Sequence, residues 1–182
     1  MFKLIIFLIL SATLIFISWR SLLKPASHGF YRFFSWECIL WLVVNNLPVW
    51  FVKPFSLFQI VSWVLLIASA YVVLAGVSLM RRLGKPRDSR KDESLYTFEK
   101  TSELVQVGIF KYLRHPLYSS LLFLTWGVYF KNPVTELLLV SIAFSIFLFL
   151  TARIEERENL GYFGEVYREY MKKSKMFIPF VF

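Results

Sequence analysis

The feature that most constrains this chain is a series of five separate apolar stretches, each about 20 residues long. A segment of that length can cross the hydrocarbon core of a bilayer as an α-helix. The chain has 182 residues, of which 57% are hydrophobic, and a soluble domain of this length could not bury five such stretches. We therefore predict an integral membrane protein. The stretches are residues 4–23, 35–52, 57–80, 112–130 and 134–152.

These stretches predict an all-α, polytopic membrane protein with about five transmembrane helices. Only Lys131, Asn132 and Pro133 separate the last two stretches, and a short polar break with a proline is typical of a helical hairpin. The second stretch contains Glu37 and Pro48, so we expect it to be kinked or partly interfacial. We expect a single membrane domain over 1–182, with the first three spans in 1–80 and a cofactor-binding loop, the hairpin and a cytoplasmic C-terminal tail helix in 81–182.

The basic residues indicate which side of the membrane each loop faces, because Lys and Arg concentrate in short cytoplasmic loops. With five spans and the N-terminus outside, 18 of the 21 basic residues fall on the cytoplasmic side. We therefore predict a multi-pass protein with its N-terminus outside and its C-terminus in the cytoplasm. Anionic membrane lipids are then the expected partners of the basic residues. The net charge of +9 therefore does not indicate binding to nucleic acid.

Several kinds of chemistry lack the residues they need. The chain has two histidines and one cysteine, too few for a multi-histidine iron site, and no Cys/His spacing suits zinc. It also lacks a phosphate-binding P-loop, a serine-nucleophile elbow and a dinucleotide fingerprint. We expect no metal and no covalent catalysis.

A basic cluster precedes the fourth apolar stretch, in the segment GIFKYLRHPLYSS at 108–120. Pro116 is well placed as the first residue of a helix, because its missing N–H would have no partner there. Arg114 and His115 would then lie beside a positive helix end, an arrangement that favours an anionic group. Tyr118 falls on the same face as His115. The alternative is a simple anchor, since Arg and Tyr are common at membrane boundaries.

An acidic cluster follows the fifth apolar stretch. Glu155 and Glu156 lie among Arg153 and Arg157, either at the end of the helix or on a helix that continues into water with these residues paired along its face. In both cases the hairpin brings the carboxylates near Arg114. Groups that bind anions and groups that bind cations would then face one ligand, which suits a zwitterion with an additional positive charge.

The ordered motifs of residues 79–180 resemble the isoprenylcysteine carboxyl methyltransferase and phospholipid methyltransferase superfamily. The pattern is a Gly-x-aromatic element and Arg-His-Pro-x-Tyr, then a Glu-Glu pair about 40 residues later, then Phe-Gly-x-x-Tyr-x-x-Tyr. The residues that match it are Gly108, Phe110, Arg114, His115, Pro116, Tyr118, Glu155, Glu156, Phe163, Gly164, Tyr167 and Tyr170.

The resemblance implies methyl transfer from S-adenosyl-L-methionine at the cytoplasmic membrane face. The acceptor would be lipid-like or prenylated, or a small molecule, and would carry a carboxylate or thiol. His115, Tyr118, Glu155 and Glu156 are the implied cofactor-binding residues, and Arg114 and Glu156 the implied catalytic residues. The segment after Gly84 departs from the usual patterns, which leaves the acceptor open.

Two other functions fit parts of the pattern. A dinucleotide-dependent membrane reductase has a related arrangement of spans, although the Glu155 and Glu156 pair suits a phosphorylated dinucleotide poorly. A non-enzymatic membrane protein that binds a lipid or a partner could keep the basic cluster as an anchor. Binding of S-adenosylmethionine without turnover would indicate the second of these.

Overall fold

The computed structural model describes residues 2–25, 27–84 and 103–180, and these residues form an all-helical protein. The described residues form six α-helices, and the connections after α2 and before α4 each contain a 3-10 turn, at Leu47–Val49 and Gly108–Lys111. Most of the predicted cofactor-binding loop, residues 85–102, lies outside the described residues. The helices are α1 Phe2–Leu22, α2 His28–Asn46, α3 Leu57–Leu83, α4 Pro116–Tyr129, α5 Thr135–Phe163 and α6 Glu165–Lys173.

Among the described residues, α1, α3 and α5 are long and apolar enough to cross a membrane. The helix α2 has 19 residues and ends before Pro48 in the first 3-10 turn. The helix α4 begins at Pro116 rather than at 112 and has 14 residues, so it is about 21 Å long, shorter than a bilayer core. The prediction of an all-helical membrane protein is confirmed, whereas the count of five spans stays a prediction.

The helices pack in neighbouring pairs, with α3 along α4, α2 along α5 and α1 along α2. The core lies around α5, where Phe144 and Leu148 are fully buried against Ile39 of α2 and Tyr118 of α4. The helix α3 approaches α4 closely, because a Cβ on Gly76 would lie 3.3 Å from the Leu117 side chain. No residue of α1 is buried, as expected for a helix that faces lipid.

The predicted hairpin turn joins α4 to α5. The Lys131 N–H donates to Val128 O at 3.1 Å, and α5 begins at Thr135 after Pro133. The Lys131 side chain is nevertheless buried. Its ammonium donates to Gln59 Oε1 at 2.9 Å and lies 3.5 Å from the centre of the Trp63 ring. The turn is therefore held to α3 by a polar contact and a cation–π contact.

The helix α5 does not stop at the predicted span end, Ala152, but continues to Phe163. Gly164 then adopts φ 59° and ψ −133°, a conformation that favours glycine, and the chain turns into α6. The predicted tail helix is confirmed. After it, the chain returns to the start of α4, where Arg114 N–H donates to Lys175 O at 2.7 Å.

Candidate active site

An open cavity lies where the ends of α3, α4, α5 and α6 meet. Its walls include four of the five predicted site residues: Arg114, His115, Tyr118 and Glu155. The fifth, Glu156, is 2% exposed and lies behind the cavity wall. Further lining residues are Met80, Val105, Phe110, Asn159, Phe163, Tyr167 and Tyr170.

Arg114 ties three segments of the chain together. Its Nε donates to Glu156 Oε1 at 2.7 Å, and its Nη1 donates to Met171 O at 3.1 Å and to Ser174 O. The guanidinium thus joins the start of α4 to the end of α5 and to the end of α6. These contacts confirm that the hairpin brings the basic and acidic clusters together.

Glu156 is a buried carboxylate with unequal oxygens. Its Oε1 accepts from Arg114 and lies 3.7 Å from His115 Nε2. Within the part of the chain that the structure describes, its Oε2 has no hydrogen-bond partner, although the half-exposed Arg153 guanidinium lies 3.6 Å away. Glu156 therefore balances the charge of the basic cluster from outside the cavity.

The His115 side chain is held in place by its neighbours, although one of its ring nitrogens makes no hydrogen bond with the described residues. Its ring stacks on that of Tyr118, with 5.3 Å between centroids and 13° between planes. Its backbone N–H donates to Met176 O at 3.3 Å. The residue is 5% exposed, and Nε2 has no hydrogen-bond partner among the described residues. This buried atom lies toward Glu156 Oε1, at 3.7 Å, and His115 also lines the cavity.

Tyr118 and Glu155, which both line the cavity, form a further polar contact. The Tyr118 hydroxyl donates to Glu155 Oε2, which joins α4 to α5 a second time. Because Glu155 also lines the cavity, it presents a carboxylate to any ligand there. The first turn of α4, which includes Pro116 and Leu117, lines the cavity as well, and it leaves backbone N–H groups without partners within the helix. Basic and acidic side chains therefore both line the cavity.

Two tyrosines of α6, Tyr167 and Tyr170, line the cavity. The Tyr170 hydroxyl donates to Phe110 O at 2.6 Å and to Leu113 O at 3.2 Å, which fixes the 3-10 turn before α4. Burial raises the pKa of Tyr170 well above its usual value. Burial also raises the pKa of Tyr167, and the nearby Glu155 carboxylate contributes to this rise. Both hydroxyls therefore stay protonated at neutral pH.

Some lining residues were not predicted. Asn159 lies four residues after Glu155 on α5 and so on the same helical face, a spacing that could have pointed to it. Met80 and Val105 had no such signal, because they reach the cavity from the end of α3 and from the segment before α4. Within the described residues, no group of three or more His, Cys, Asp or Glu side chains could hold a metal ion.

Comparison with known families identifies the chain. The model of a family described as "Phospholipid methyltransferase" matches residues 57–164, more than half of the chain. This protein belongs to the phospholipid methyltransferase family. The match runs from the start of α3 to Gly164 and includes Arg114, His115 and both glutamates. It confirms the predicted superfamily.

A curated relative is similar over a shorter region. "Methanethiol S-methyltransferase 1" of Bradyrhizobium diazoefficiens is 32% identical over 73 residues, which are 39% of this chain and 24% of that protein. The chain therefore spans about a quarter of the length of the curated relative it matches. No solved structure is significantly similar to this chain.

Proposed function

We propose that this protein transfers a methyl group from S-adenosylmethionine to a thiol acceptor at the cytoplasmic face of the membrane. The observation that carries the proposal is the charge arrangement of the cavity. Arg114, His115 and the positive end of α4 line the cavity together with the Glu155 carboxylate. Membership of a methyltransferase family makes an adenosyl ligand the natural occupant of such a cavity.

The residues fit this zwitterionic ligand. Arg114 and His115 line the cavity beside the positive end of α4, and together these groups favour a carboxylate. The carboxylate of Glu155 suits an ammonium group or ribose hydroxyls. Phe163 and Tyr167, whose rings lie 6.4 Å apart, offer flat faces to a planar base.

The residues of the cavity bind the reactants, orient them and exclude water. When bound, S-adenosylmethionine supplies a methyl carbon that its sulfonium group already activates. Orientation of the two reactants can contribute roughly 7–11 kcal/mol, so a rigid wall matters more than a strong acid or base. Tyr118 lies between His115 and Glu155 and fixes both. We assign Glu156 a positioning role, because it touches Arg114 rather than the cavity.

A thiol is the acceptor that the observations favour. A thiol reacts as its thiolate and releases its proton to solvent more readily than a protonated amine does, whereas a carboxylate is already ionised at neutral pH. The relative named a methanethiol S-methyltransferase acts on a thiol by its name, and the apolar side chains of Met80, Val105 and Phe110 suit an apolar acceptor. A prenylated or lipid-like carboxylate is the second choice. Glu155 disfavours a phosphorylated dinucleotide, because its charge would repel the phosphates.

We also propose that the cavity faces the cytoplasm, with the N-terminus outside. The end of α3, the start of α4 and the end of α5 meet at the cavity, together with α6. The basic residues concentrate at this end of the chain's spans, as expected for a cytoplasmic side.

The test is methyl transfer by the detergent-purified protein. The protein is incubated with methyl-labelled S-adenosylmethionine and one acceptor at a time: a short alkane thiol, a prenylated cysteine or phosphatidylethanolamine. We expect label in the thiol product, and loss of transfer in His115→Ala and Glu156→Ala. Lys111→Ala is the matched control, because Lys111 is an exposed cation of the same segment. Transfer only to the phospholipid, or full transfer by His115→Ala, would overturn the proposal.

A further inference from the structure

A second polar cluster lies where the first turn of α2 packs against the end of α5. His28 is the first residue of α2 and is fully buried. Its Nδ1 is hydrogen-bonded to Glu158 Oε2, and the Glu158 side chain is 28% exposed. Arg32, one turn further along α2, is also buried. The family match begins at residue 57, so it does not include α2.

This cluster is adjacent to the cavity through α5. Glu158 lies three residues after Glu155 and so shares its helical face, and it directly precedes Asn159. Both Glu155 and Asn159 line the cavity. Arg32 and, when it is protonated, His28 also act on Glu155 through charge. A contact that fixes Glu158 therefore fixes the face of α5 that the ligand meets.

Three carboxylates near the end of α5 are each held by a different side chain. Glu155 accepts from Tyr118 and Glu156 from Arg114, and both donors belong to the start of α4. The third contact, from His28 to Glu158, joins this part of α5 to the first turn of α2. Its loss would remove a side-chain tether between the end of α5 and α2.

The chemistry of His28 does not suit a purely structural role. Its Nε2 is buried and has no hydrogen-bond partner among the described residues. An apolar side chain of similar size would pack there without leaving a polar atom unpaired, so stability alone would favour the apolar residue. The histidine is better explained by the need to hold one carboxylate at a defined place.

We propose that His28 is a positioning residue: by binding Glu158 it holds the end of α5 against α2, and thereby sets Glu155 and Asn159 in the cavity. The effect on a ligand rests on the proposed function. The effect on α5 does not, and this difference separates the two tests.

The first test measures the affinity for S-adenosylhomocysteine by calorimetry. We expect His28→Ala to weaken binding about tenfold, as for other residues that orient a ligand-binding group. Glu158→Ala should weaken it equally, and the double variant no further, because the two residues act as one unit. His28→Gln, which keeps an N–H donor, should restore most of the affinity.

The matched control is Glu37→Ala. Glu37 also lies on α2 and accepts from Ser11 of α1 at 3.0 Å, so this variant removes a polar contact of α2 that does not involve α5. We expect unchanged affinity. Additive losses in the double variant, wild-type affinity in His28→Ala or an equal loss in the control would overturn the proposal. Glu158→Gln carries the test if His28→Ala does not fold.

The second test is amide hydrogen exchange in the protein without ligand. We expect faster exchange confined to residues 153–163 in His28→Ala and restored protection in His28→Gln, because only the end of α5 is released. If the wild type binds no adenosyl ligand, the proposed function is wrong, and the hydrogen-exchange measurement alone then tests the positioning role of His28. Unchanged exchange at 153–163, or a uniform increase over the whole chain, would overturn the positioning role.

Discussion

Removal of the Arg114 guanidinium should destabilise the protein by about 3–5 kcal/mol. Arg114→Ala deletes the 2.7 Å contact to Glu156 and the bonds to Met171 O and Ser174 O. The Glu156 side chain is only 3% exposed, so its carboxylate stays buried after its partner is lost. A buried charge without a partner is far more costly than the loss of an exposed ion pair.

The neighbouring cations set the magnitude. His115 Nε2 lies 3.7 Å from Glu156 Oε1, and Arg153 lies 3.6 Å from Oε2, so the orphaned carboxylate keeps some compensation. We therefore expect a value near the lower end, about 3 kcal/mol. Glu156→Gln leaves Arg114 its two carbonyl acceptors and should cost less, about 1–2 kcal/mol. The double variant Arg114→Ala with Glu156→Ala should be more stable than the sum of its single changes predicts.

The assay is thermal unfolding in detergent, followed by tryptophan fluorescence. A loss of about 3 kcal/mol corresponds to a decrease in Tm of roughly 6–12 °C for a chain of this size. Lys111→Ala, an exposed neighbour, should leave Tm unchanged within about 2 °C. A loss below about 1 kcal/mol in Arg114→Ala, or strict additivity in the double variant, would refute the inference that this contact links α4, α5 and α6.

Other predictions concern the end of α5 and the tyrosines. Gly164→Ala should cost about 1–3 kcal/mol because of its positive φ, whereas Gly161→Ala, a helical site with open space, should gain up to about 1 kcal/mol; equal melting temperatures would contradict this. Burial raises the pKa of Tyr170, so the unfolded chain releases this proton first and stability should fall above about pH 10; an alkaline unfolding titration of Tyr170→Phe should show a smaller fall. Tyr118→Phe removes the donor to Glu155 and should weaken S-adenosylhomocysteine binding about tenfold in calorimetry; wild-type affinity would exclude a role for this contact.

The parts of the fold that were predicted correctly depend on local signals. Pro116 marks the start of α4 because a proline at the first helical position loses no hydrogen bond. Pro133 marks the hairpin turn by a different signal, since it lies in the short polar break, two residues before α5 begins at Thr135. The burial of Lys131 was not predictable, because its partners Gln59 and Trp63 belong to α3 and are distant in the sequence.

The sequence indicated which residues lie near the cavity better than it indicated which of them contact one another. The hairpin brings Arg114 close to the acidic pair, as expected. Which of Glu155 and Glu156 faces the cavity depends on the rotation of α5 about its axis. The sequence left open whether α5 continues past Ala152, so it could not give this rotation. The contact between His28 and Glu158 joins residues 130 positions apart, and no local pattern indicates it.

The most direct test of the central claim is calorimetric titration of the wild-type protein, purified in detergent, with S-adenosylmethionine and S-adenosylhomocysteine, and with NADPH as the rival ligand. We predict saturable binding of both adenosyl ligands, loss of that binding in His115→Ala and no saturable binding of NADPH. Saturable NADPH binding, or no binding of either adenosyl ligand, would contradict the assignment of the cavity to S-adenosylmethionine.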